Sequence, residues 1–176
     1  MISLYSLLYE GMATNVEGFW GDKGAGILLF AADTKKFLVL KRASWVNEPG
    51  TWGLAGGAID DPKESPRSAA QREAQEELGS TDIQKLIPAS VYTSPKGTFK
   101  FHNFIGVVPA EFSPNLDDEE NDGFKWVSLE QLRKLPKKHF GLSGLLQNSE
   151  SLLQKLTTPK ELAKKKLSVK LKTKRL

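Results

Sequence analysis

The stretch from residue 56 to residue 80 constrains this chain more than any other. It starts with a glycine pair, passes through the turn Asp60-Asp61-Pro62-Lys63, and enters a helical pattern at Ser65-Pro66. A serine there accepts from the free N–H groups of the first turn, and proline at the first helical position forfeits no bond. Gly79 suits the residue after the last turn, which commonly takes a positive φ. Ala70, Ala74 and Leu78 recur every four residues, so a helix reaching Leu78 presents a small-residue row that can lie close to a sheet. Glu73, Glu76 and Glu77 lie three and four residues apart and share a face. Three carboxylates so placed repel one another. Most acidic helix runs are simply solvated; the other stable arrangement is a hard divalent cation bound by carboxylate oxygens and bridging to substrate phosphates.

The flanking sequence supplies strands. Residues 24–32 form a glycine-led apolar run of buried-strand length. The turn Asp33-Thr34-Lys35 joins it to a second strand, 36–42, as a hairpin. Residues 44–51 contain Pro49-Gly50 and read as a loop, and 52–57 as a short strand ending in the glycine pair. Strands are expected at 86–93, 98–108 and 124–127, with an acidic loop over 115–122. Ser128 caps a following helix, and 141–156 reads as a last helix. Strands before, between and after helices predict an α/β fold, a mixed β-sheet sandwiched between α-helices.

The chain of 176 residues suits one such domain, and 39% apolar with 26% charged residues is an ordinary globular balance. It has no cysteine, which excludes disulfides, a thiol nucleophile and a zinc ribbon, and fits a cytoplasmic location. No apolar run approaches membrane-span length, so no membrane partner is expected. The net charge of +4 is uneven: residues 157–176 carry +7 and the rest −3. The expected division is a domain over 1–156, with a short N-terminal element packed on it, and a basic tail over 157–176. That tail is a solvated extension or an arm that meets RNA electrostatically.

The segment resembles the Nudix box: a glycine, five residues, Glu, seven residues, Arg-Glu, an aliphatic, any residue, Glu-Glu, any residue, Gly, an aliphatic. Here it reads Gly57, six residues, Glu64, seven residues, then Arg72-Glu73-Ala74-Gln75-Glu76-Glu77-Leu78-Gly79-Ser80. The resemblance extends from about residue 24 to 132, including Trp52 and Trp126-Val127. The chain departs from the pattern by one extra residue before Glu64, by Ala55 where proline is common, and by Ala74 and Ser80 at aliphatic positions. The resemblance implies the Nudix fold and a MutT-like, Mg²⁺-dependent pyrophosphohydrolase, with Mn²⁺ as a substitute. By position it implies Glu73, Glu76, Glu77 and a carbonyl at Gly57 as metal ligands. Arg72 would orient Glu73, with Glu64 holding Arg72. A later carboxylate would act as base or ligand: Glu120 fits best, with Glu119 and Asp122 as competitors.

Outside the box, Lys41 and Arg42 end a strand and read either as phosphate binders or as a solvated strand end. Trp45, Tyr92 and Phe101 read as base-stacking residues or as core. His102 and His139 read as structural or surface residues, and Trp52 and Trp126 as packing.

The expected substrate is a nucleoside diphosphate linked to another moiety, of NTP, dNTP, dinucleotide or ADP-ribose type, acted on by a monomer or homodimer. Two alternatives remain: an RNA 5′-end pyrophosphohydrolase engaged through the tail, and a nucleotide-binding module without turnover. Retention of all four box glutamates argues against the last.

Overall fold

The computed structural model describes residues 21–116 and 119–158. The expected N-terminal element and nearly all of the basic tail fall outside the described residues.

The glycine-led run forms β1 (Lys23–Ala31). Its side chains alternate between two core layers: Ala25, Ile27, Leu29 and Ala31 enter one, Leu28 and Phe30 the other. A strand covered on both faces reads as continuously apolar, which explains its sequence. Lys35 adopts φ 60 in the turn, where its N–H donates to Ala31 O at 3.0 Å. β2 (Lys36–Arg42) then pairs antiparallel with β1, with Phe30 opposite Phe37 and Ala31 opposite Lys36.

Beyond those partners the hairpin opens into a fork. β3 (Trp52–Gly53) lies along β2, and β4 (Ala55–Ala58) lies along β1, from Ile27 opposite Ala55 to Gly24 opposite Ala58. The single strand expected over 52–57 is therefore two strands, because at Leu54 the chain crosses from one arm of the fork to the other.

After β4 the chain forms α1 (Pro66–Leu78). β5 (Lys85–Thr93) pairs antiparallel with β6 (Lys100–Val108), which runs parallel to β1. β7 (Asn121–Val127) takes the other edge of β2 and starts earlier than the sequence suggests, so Asn121 and Asp122 belong to a strand rather than to the acidic loop.

In α1, Ser65 Oγ accepts from Ser68 N at 3.1 Å, and Gly79 takes φ 74 after the last turn. Ala69, Ala70, Ala74 and Leu78 bury this helix against Ala25, Ile27, Leu29 and Ala55. The opposite face is covered by α2 (Leu129–Lys134), α3 (Phe140–Asn148) and α4 (Glu150–Thr157), whose Leu132, Leu142, Leu145 and Leu153 pack with Phe37, Val39, Phe101 and Ile105. The helix expected over 141–156 breaks at Ser149, whose φ of −125 leaves the helical region. The result is a mixed sheet between helical layers, as expected. Among the described residues no helix is long and apolar enough to cross a membrane.

Candidate active site

The small-residue row of α1 brings its acidic face against β4 and the start of β7. Glu77 is only 5% exposed. One of its oxygens accepts from Gly56 N at 2.6 Å and the other from Asn121 Nδ2 at 2.9 Å. Both partners are neutral. Burial pushes the Glu77 carboxyl up to about 8, and the nearby charges of Glu120 and Glu73 add to the rise.

One turn earlier, Glu73 lies against Gly57. A Cβ at residue 57 would fall 2.6 Å from a Glu73 oxygen, so only glycine leaves the carboxylate its place. Burial pushes Glu73 up to about 7, against the pull of Arg72.

Arg72 organises the exposed side of the cluster. Its Nε and Nη2 donate to the two oxygens of Glu64, each at 3.2 Å. Nη1 donates to Glu73 at 2.8 Å and Glu76 at 3.0 Å, and Nη2 also reaches Ala58 O at 3.3 Å. A planar guanidinium can hold three carboxylates and a carbonyl in fixed directions; an ammonium cannot. Glu64 above all, then Glu73 and Glu76, holds Arg72 further above its ordinary range. The extra residue before Glu64 does not disturb this web. The turn closes on itself, with Lys63 N donating to Asp61 Oδ1 at 2.8 Å and Glu64 N to Asp61 O at 2.9 Å.

Glu120 approaches from the strand side. Its carbonyl accepts from Ala43 N at 2.9 Å, and its charge bears on both Glu73 and Glu77. Gly57, Arg72, Glu73, Glu76, Glu77 and Glu120 are thus gathered in one place. Lys41 and Arg42 end β2, where Arg42 pairs with Asn121 of β7. Lys41 is exposed, and Arg42 Nε donates to Asn47 O at 2.8 Å, on the side where Glu48 and His139 lie.

His139 has a structural role. His139 caps α3, its Nδ1 accepting from Gly141 N at 3.4 Å, and its ring packs 4.2 Å from that of Phe140. Burial pushes it down to about 3, with Arg42 adding to the fall. A neutral imidazole makes its 4.0 Å approach to Glu48 a polar contact rather than an ion pair. His102 is held below its ordinary value by burial and by Lys100 and Lys23.

Sequence reasoning missed Asn121, the Gly56 N–H and the Ala58 carbonyl. Asn121 lies 44 residues from Glu77, and two of the three are backbone groups that carry no residue-type signal.

The donor set suits a hard divalent cation. It is all oxygen, Arg72 donates to Glu73 and Glu76, and the raised carboxyls of Glu73 and Glu77 favour a partner that stabilises their ionised forms. Among the described residues no three acidic or imidazole side chains converge into a ready cage. Mg²⁺ does not require one, because it keeps several waters and uses one or two carboxylates plus substrate phosphates.

Comparison with known proteins agrees with this geometry. The NUDIX domain family matches residues 22–148. The chain belongs to the Nudix hydrolase family. It is 34% identical over 126 residues to a putative 8-oxo-dGTP diphosphatase 3 of Mycobacterium tuberculosis, covering 67% of this chain and 58% of that protein. It is 32% identical over 101 residues to the CTP pyrophosphohydrolase of Escherichia coli, covering 57% of this chain and 73% of that one. The crystal structure of RenU, a Nudix hydrolase from M. smegmatis, superposes with a TM-score of 0.66 at 27% identity, over 85% of this chain and 97% of that one. This Nudix domain therefore spans under two thirds of the M. tuberculosis relative, while matching nearly all of RenU.

Proposed function

We propose that this Nudix protein is a divalent-metal-dependent pyrophosphohydrolase, with Mg²⁺ as its ion and Mn²⁺ as a substitute. It would cleave the phosphoanhydride of a nucleoside diphosphate linked to another moiety. The observation that carries this reading is the pair of enclosed carboxyls, Glu73 and Glu77, one turn apart on α1, whose ionised forms are disfavoured by burial and by neighbouring carboxylates and would be favoured by a bound cation.

Glu73, Glu76 and Glu77, with the Gly57 carbonyl, would hold the cation. When bound, it would neutralise diphosphate charge and polarise the attacking water. Arg72 fixes Glu73 and Glu76 in direction before substrate arrives, which lowers the cost of ordering the site. Gly56 and Asn121 do the same for Glu77. Glu120 is the candidate general base: it is a carboxylate from a distant segment whose charge bears on both Glu73 and Glu77, so it lies near the site where a water would be activated. Lys41 and Arg42, at the end of β2, are candidates for contacts with the substrate's phosphates. Residues 1–156 would form the catalytic unit, with the basic tail as an appendage.

The relatives' names make 8-oxo-dGTP and CTP the first substrates to try. Purified full-length protein is incubated with Mg²⁺ and these, then other NTPs and dNTPs, ADP-ribose, dinucleoside polyphosphates and triphosphorylated RNA. Phosphate and pyrophosphate release are counted. Turnover that disappears in Glu76→Gln supports the reading. A folded wild-type protein that binds nucleotides but turns over none of them with either metal is a binding module instead.

A further inference from the structure

Of the aromatic side chains suited to stacking, the structure withdraws two. Phe101 is buried in the core, and Tyr92 packs against Phe140 with ring centroids 5.3 Å apart. Trp45 remains, 67% exposed in the loop that follows β2. Scattered surface aromatics need no explanation, but this one is anchored. Its indole Nε1 donates to Glu119 O at 2.6 Å. Two residues earlier on the same loop, Ala43 N donates to Glu120 O at 2.9 Å. The two bonds tie the loop to the segment that carries Glu120, whose charge bears on Glu73 and Glu77. The indole therefore has its polar edge satisfied and its orientation set, and it keeps open ring surface on a loop tied to the Glu120 segment. Neighbouring Cα atoms are about 3.8 Å apart, so an anchor on residue 119 lies within a nucleotide's length of Glu120.

We propose that Trp45 is the nucleobase platform of this protein: the base of the nucleotide stacks on its exposed face while the diphosphate lies at the Glu73–Glu77 cluster. The inference rests on the hydrolase reading above and adds a substrate-binding residue to it. It also predicts the style of recognition. Every base has a π face, and the only polar group of the indole is committed to Glu119, so Trp45 contributes affinity without reading a base edge. Purines, with more overlap, bind tighter than pyrimidines.

The test is calorimetric titration of the full chain, without metal, with GMP, CMP and ribose 5-phosphate, alongside steady-state kinetics with Mg²⁺. Wild type binds GMP more tightly than CMP. Trp45→Ala weakens both by about tenfold or more and leaves ribose 5-phosphate unchanged. Trp45→Phe keeps a ring, loses the bond to Glu119, and binds both nucleotides within about threefold of wild type. In turnover, Trp45→Ala raises KM and leaves kcat nearly unchanged. The proposal is overturned if Trp45→Ala binds nucleotides as wild type does, if wild type binds neither nucleotide, or if the Phe variant is as defective as the Ala variant. The last result would make the indole only a tie between loops. Failure of the hydrolase reading shows separately, as turnover that persists in Glu76→Gln or is absent from wild type, while the titrations still decide the role of Trp45.

Discussion

Asn121 donates its side-chain N–H to Glu77 at 2.9 Å, joining the first residue of β7 to the last turn of α1 inside the protein. Asn121 is itself only 4% exposed. A buried carboxylate oxygen that loses its donor keeps its desolvation penalty. Asn121→Leu should therefore lower the unfolding free energy of metal-free protein by about 1–3 kcal/mol. It should also raise the Mg²⁺ concentration needed for half-maximal turnover, because Glu77 loses its fixed direction. Denaturant melts and a Mg²⁺ titration measure the two effects. If neither moves, the bond contributes nothing to stability or to the site.

Gly57 tests the packing of Glu73. A Cβ there would meet both oxygens and the carboxyl carbon of Glu73 at 2.6–2.7 Å, a clash with the end of a flexible side chain. The side chain can move aside, so the fold should survive while the carboxylate is displaced. Gly57→Ala is expected to lower kcat by about tenfold or more, as misplaced catalytic groups do, with little change in melting temperature. Gly123→Ala is the control, since nothing lies within 4 Å of a Cβ there. Equal activity in the two variants would show that Glu73 tolerates the displacement.

Arg72 reaches Glu64, Glu73, Glu76 and the Ala58 carbonyl together. Arg72→Lys preserves the charge and loses the fork. It should keep the fold and lower kcat/KM by about tenfold to a hundredfold, a loss of about 1.4–2.7 kcal/mol of transition-state stabilisation. Glu64→Gln, which weakens one arm of the web, should fall between wild type and Arg72→Lys. Wild-type kcat/KM in the lysine variant would mean that charge alone suffices.

Much of this site is legible in the sequence because its parts are local. The Ser65 cap, the Ala70–Ala74–Leu78 row and the Gly79 stop fix α1 and thereby the order of Arg72, Glu73, Glu76 and Glu77 around it. Spacing did not separate the roles of the glutamates. Glu73 and Glu77, one turn apart, turn inward, while Glu76 turns to Arg72 and stays 48% exposed. That difference depends on β4 and β7, which pack on α1 from distant sequence. The fork between β1 and β2 was hidden for a similar reason: residues 52–58 are extended throughout, and only tertiary pairing divides them at Leu54. Likewise the break between α3 and α4 at Ser149, where the backbone leaves the helical region, is not revealed by a continuous apolar pattern.

Stability against pH separates the two kinds of buried group. His139 is held near 3 in the fold, below its ordinary 6.5, so between these values the unfolded chain binds more protons and stability falls as pH falls. Glu73 and Glu77 are raised from 4.5 to about 7 and about 8, so there the folded chain binds more protons and stability falls as pH rises. The two trends oppose each other between 4.5 and 6.5. Above 6.5 the carboxylates act without His139, and metal-free protein should lose stability toward pH 8, by at most about 1.4 kcal/mol per pH unit for each proton. Saturating Mg²⁺ should remove that decline, because a cation favours the ionised carboxylates. Urea melts from pH 4 to 9, with and without Mg²⁺, measure the curve. Glu77→Gln should flatten the upper limb and leave the lower one, and His139→Gln should do the reverse. An upper limb that keeps its slope in Glu77→Gln would assign the proton elsewhere and remove the argument that Glu77 is a charge in need of a cation.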